Sequence, residues 1–85
     1  MKFRKIIEQA EELSISSYVG PHQITIDTIE EVIEELQTDE LSSHEAIIGS
    51  CAYKVNNLIE VVNPEYHYDI EVLTKLSKIL ESCDD

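Results

Sequence analysis

Apolar residues recur at intervals of three and four in four separate stretches of this chain. That period constrains the fold more than any other feature, because it is the repeat of one helix face. In the first stretch, about Lys2 to Ser17, the stripe is Phe3, Ile6, Ile7, Ala10 and Leu13, with Glu8, Gln9, Glu11 and Glu12 on the opposite face. The second, Thr25 to Gln37, carries Ile26, Ile29, Val32, Ile33 and Leu36. The third, Ser42 to Val62, is apolar over a wider arc that includes Ile47, Ile48, Cys51, Tyr53, Val55, Leu58, Val61 and Val62. A helix of that girth touches several neighbours or feeds an oligomer interface. The fourth, ending near Ser82, steps through Tyr66, Ile70, Leu73, Leu76, Leu80 and Cys83. Only Ile24-Thr25-Ile26 has the β-branched composition of a strand, and no partner strand is evident.

Stop and start signals separate the four stretches. Gly20-Pro21 ends the first, since proline restricts the residue before it and lacks an N–H. Thr28-Ile-Glu-Glu31 has the pattern of a capping box, with Thr25 and Asp27 as competing caps. Ser42-Ser-His-Glu45 is a second box. Asn63-Pro64 admits two readings: Asn63 caps the last helix with Pro64 at its first position, or Asn63 to Tyr66 is a turn and Asp69 is the cap. The expectation is an all-α chain, a compact four-helix bundle or orthogonal helical array, with residues 1–85 forming a single helical domain. Two glycines and two prolines in 85 residues are too few for a turn-rich β fold.

Charge narrows the partners. Eighteen acids against six bases give a net charge of -12, which disfavours direct binding to nucleic acid or to an anionic membrane. No apolar run approaches the ~20 residues of a membrane span. Met-Lys-Phe-Arg-Lys at the start is followed by acids instead of a signal-peptide apolar region, so a cytoplasmic location is expected. Cys51 and Cys83 are too few for a disulfide scaffold and read as structural thiols.

Catalytic patterns are missing. The chain has no nucleophile elbow, glycine-rich phosphate loop, HExxH or CxxC. His22, His44 and His67 lack the spacing of metal ligands and read as surface or cap residues. The expectation is no enzyme activity, no cofactor and no metal. The Glu40-Leu41-Ser42-Ser43 stretch also lacks the Asp-Ser-Leu signature of acyl carriers.

The distribution of charge is the functional signal. From Ile6 to Tyr53 there is no Lys or Arg. Asp27/Glu31, Glu30/Glu34 and Glu31/Glu35 are like-charge pairs at i,i+4, each costing ~0.2–0.5 kcal/mol in an isolated helix. The helix dipole excuses acids in the first turn but not Glu34 or Glu35. Asp27, Glu30, Glu31, Glu34, Glu35, Asp39 and Glu40 are therefore the expected partner-binding residues. The expected partner is a basic protein surface, on a nuclease or DNA-binding protein, bound by nucleic-acid mimicry. Carboxylates at i,i+4 lie ~6 Å apart, within a factor of about two of successive phosphates. Tyr66 and Tyr68, flanking His67, are the expected interface aromatics. In size, acidity and helical class the chain resembles nuclease immunity proteins, without their tyrosine-tyrosine-proline stretch. The alternative is a structural or regulatory helical homo-oligomer, a homodimer in its simplest form, whose acidity serves solubility alone.

Overall fold

A computed structural model describes residues 3–16, 20–38 and 43–82. It contains four α-helices: α1 (Arg4–Ser16), α2 (Gln23–Thr38), α3 (His44–Val61) and α4 (His67–Glu81). Each helix packs on its neighbour in the chain, and α4 closes the ring against α1. Of the two diagonals, α2 and α4 touch across the centre, whereas α1 and α3 stay apart. The all-α bundle expected from the periodicity is what forms, with extents of 37 × 23 × 19 Å.

The stripes meet in one core. Phe3, Ile6, Ile7, Ala10 and Leu13 are all buried, as the first stripe predicts. They meet Ile29, Val32 and Leu36 of α2, Ile47, Cys51 and Val55 of α3, and Val72, Leu73, Leu76 and Leu80 of α4. The α2 stripe is rotated from its predicted position. Thr25 is fully buried, one turn before Ile29, while Ile26 is only half-buried. The Thr25 hydroxyl has no hydrogen-bond partner among the described residues, a net cost for a buried polar atom. The wide arc of α3 is only partly used. Leu58 and Ile59 are half-buried, and Tyr53 and Val61 face outward. Gly49 is exposed, and a Cβ there would meet no atom of the described residues, so it serves no close approach between the described helices.

Thr28, Thr25, Asp27 and Asp69 do not serve as the predicted caps. Thr28 lies inside α2, where its hydroxyl donates to the Ile24 carbonyl at 2.8 Å, so the box with Glu31 does not form. Thr25 and Asp27 are likewise interior, because α2 begins two residues before Thr25. Its first turn is closed by the His22 carbonyl, which accepts from the N–H groups of Thr25 and Ile26. α3 is capped by Ser43, whose hydroxyl oxygen accepts from the Ala46 N–H at 3.1 Å; Ser42 lies outside the described residues. Between α3 and α4 the turn reading holds. The Asn63 side chain accepts from the Glu65 N–H and its carbonyl from the Tyr66 N–H, both at 2.9 Å. Asp69 falls within the first turn of α4 but does not cap that helix.

Candidate interaction surface

Asp69 serves α2 instead. Its carboxylate, only 1% exposed, accepts from the His22 backbone N–H at 2.7 Å and from the His22 ring Nδ1 at 2.8 Å. The His22 ring stacks on Tyr66, with centroids 4.1 Å apart and planes 25° apart. One buried carboxylate thus holds the entry of α2 against the start of α4. Nearby, Gly20 has φ +117°, a conformation that suits glycine, and Tyr68 packs over it. Tyr66 and Tyr68 are both exposed, yet each has a partner within the chain. Spacing pointed to Asp69 as a cap, but its acceptor role across 47 residues has no local signal.

With Ile29, Val32 and Leu36 in the core, α2 carries its acidic residues outward. Asp27, Glu30, Glu31 and Glu34 are exposed, and none is ion-paired to a described residue. Asp27 accepts one bond, from the Gln23 side-chain amide at 2.9 Å. Asp39 and Glu40 lie outside the described residues.

Glu35 differs from its neighbours. It turns toward α3, where its carboxylate accepts from the Cys51 thiol at 3.0 Å, the Lys54 ammonium at 3.3 Å and the Ser50 hydroxyl at 3.4 Å. These donors, the thiol foremost, hold the Glu35 carboxyl below its ordinary range against the opposing effect of burial. Burial first, and then this contact with Glu35, push the Cys51 thiol up to about 12. Cys51 is therefore protonated and inert at neutral pH. Glu35 belongs to the α2–α3 junction as much as to the outer face.

Sequence spacing alone did not connect the first helix with this surface, but the packing does. Glu11 of α1 lines a groove of about 330 Å3 together with Glu30, Ile33 and Glu34 of α2, with exposed Ile15 at its edge. A further shallow depression between α2 and α3 is bordered by Glu31, Glu34, Glu35, Thr38 and Lys54. The α2 carboxylates form a ridge with a negative groove on either side. The histidines lie in separate settings: His22 on Asp69, His44 tilted against Phe3 at 4.8 Å, and His67 exposed. Among the described residues no three His, Cys, Asp or Glu side chains come together as a metal site. No helix among the described residues is long and apolar enough to cross a membrane.

Comparison with known proteins finds no matching family model, no significantly similar curated protein and no significantly similar solved structure.

Proposed function

We propose that this chain is a small non-enzymatic interaction protein of the cytoplasm. It binds, and thereby inhibits, a basic protein that handles nucleic acid. The observation that carries this reading is the exposed α2 ridge of Asp27, Glu30, Glu31 and Glu34, with no compensating cation from the described residues. A helix built for stability alternates acid with base and gains ~0.2–0.5 kcal/mol per pair. This one forgoes that gain along its outer face. A rigid row of carboxylates at helical spacing presents negative charge much as a phosphate backbone does, and it fits a cleft lined with Lys and Arg. Such a field also steers association.

The test is affinity capture at low and high salt, followed by elution with duplex DNA. A mimic's partner is retained at low salt and displaced by DNA. Glu30→Lys, Glu31→Lys and Glu34→Lys together abolish capture, because like charges then meet across the interface. Glu35 is left unchanged, since its removal also breaks the contacts to Cys51 and Lys54. Glu11 is no control either, because it shares the groove with Glu30 and Glu34. The control is Glu60→Lys with Glu65→Lys, exposed positions on α3 and the turn that follows. Equal loss in both variants refutes a localised site in favour of a diffuse field.

The exposure of Tyr53 and Val61 favours a second reading, a helical homo-oligomer joined through α3. Sedimentation of a single 9.7 kDa species at high concentration refutes it.

A further inference from the structure

Three of the large exposed apolar side chains share one groove. Ile24 of α2, 58% exposed, faces Tyr53 and Val61 of α3, 69% and 76% exposed, across a cleft of about 310 Å3. Half-buried Leu58 also lines it. Tyr53 and Val61 are eight residues apart, hence two turns and ~12 Å along α3. Ile24, Thr28 and Glu31 step by four and three along the facing wall. Apolar residues scattered singly over a surface need no explanation, but a two-turn groove lined by them marks a contact.

The charge around the groove selects its occupant. Glu31 lines the cleft, and exposed Asp27 and Glu34 continue the same helix. The one cation in the lining, Lys54, is paired with Glu35 at 3.3 Å. The field over this apolar strip is therefore negative, and an occupant gains by bringing cations beside its apolar anchors. A second copy of this chain brings a net charge of -12 instead. A groove this short also supplies far fewer than the ~20–30 residues per side of a stable protein interface. Two turns are the footprint of one helix with anchors at i, i+3 or i+4, and i+7.

We infer that this groove seats an amphipathic helix of a basic partner, with its apolar face on Ile24, Tyr53 and Val61 and its Lys or Arg side chains against Asp27, Glu31 and Glu34. The inference deepens the function proposed above and rests on it. It identifies the partner's contact element as a basic helix, the element with which many DNA-binding proteins enter the major groove.

Three synthetic helical peptides test it on the full chain: one with Leu at i, i+3 and i+7 among Lys and Arg, one of equal charge with those Leu changed to Ser, and one with Glu replacing the bases. Fluorescence anisotropy gives affinities, and amide chemical shifts locate the site. The expected result is that the first peptide binds at least about tenfold more tightly than the second. It shifts the amides around Ile24, Tyr53 and Val61, and the Tyr53→Ser, Val61→Ser double variant removes that advantage while its circular dichroism stays helical. Equal affinity of the two basic peptides, with shifts confined to Asp27, Glu30 and Glu34, overturns the groove and leaves the acidic surface standing. Failure of both basic peptides to bind above the acidic one overturns the groove and the proposed function together. Self-association that the double variant abolishes overturns the inference in favour of a second copy.

Discussion

Replacing Asp69 with Ala probes the contact that ties the start of α2 to α4. The wild-type carboxylate is buried and accepts from the His22 N–H at 2.7 Å and from the His22 ring at 2.8 Å. A hydrogen bond to a charged group contributes ~1.5–3 kcal/mol. The ring bond adds less, because the His22 side chain is 54% exposed and water replaces its partner. The expected total is ~2–4 kcal/mol, a large share of the ~5–10 kcal/mol that holds a domain of this size. Asp69→Asn keeps one acceptor oxygen and loses the charge, so it falls between Ala and wild type. His22→Ala removes the ring but not the backbone bond, and costs ~1 kcal/mol. Urea unfolding followed by circular dichroism measures all three, and the double variant gives the coupling between ring and carboxylate. Hydrogen exchange adds a local readout: the first-turn amides of α2 lose protection in Asp69→Ala before those of α3. An Asp69→Ala variant within ~0.5 kcal/mol of wild type, the range of ordinary surface changes, refutes the reasoning.

Gly20→Ala forces a side chain into φ +117° and brings a new Cβ to 3.2 Å from Tyr68 Cγ; the expected cost is ~1–3 kcal/mol, read from the thermal midpoint. Leu73→Ala, at a fully buried site, costs ~2–5 kcal/mol, and Leu58→Ala, at a half-buried one, costs under half of that; equal losses would place Leu58 in the core after all. Glu35 titrates below its ordinary 4.5 when folded, so its contribution is present above about pH 4.5 and fades as acid protonates it. Cys51 is raised from 9.0 to about 12, so its contribution is complete below pH 9 and disappears between 9 and 12, where only the unfolded thiol has ionised. Cys51→Ser retains a donor to Glu35 without that ionisation, and stability against pH in this variant should lose the alkaline slope that begins near pH 9.

The helices themselves were legible because their signal is local. The stripe from Phe3 to Leu13 and the run Leu73, Leu76, Leu80 are buried as spacing predicts, since a 3.6-residue repeat records which face is apolar. Capping was less legible. Ser43 is the residue that caps α3, and the interior of α2 absorbed Thr28, because several adjacent polar residues satisfy the same local pattern.

Acidity, helical class and the lack of catalytic motifs thus belong to the sequence by itself. The shape of the candidate surface does not. Glu34 and Glu35 are neighbours with the same chemistry, yet one stays exposed and the other takes three donors from α3. Glu11 joins Glu30 and Glu34 only because α1 lies against α2. Asp69 finds His22 across 47 residues. Periodicity identifies the face a helix buries but not how far the helix is rotated or which neighbour it meets. Those are decided when all four stripes pack at once, because close packing admits few arrangements of the whole. That collective choice turned α2 outward along its carboxylates and left the Ile24, Tyr53 and Val61 groove open beside them.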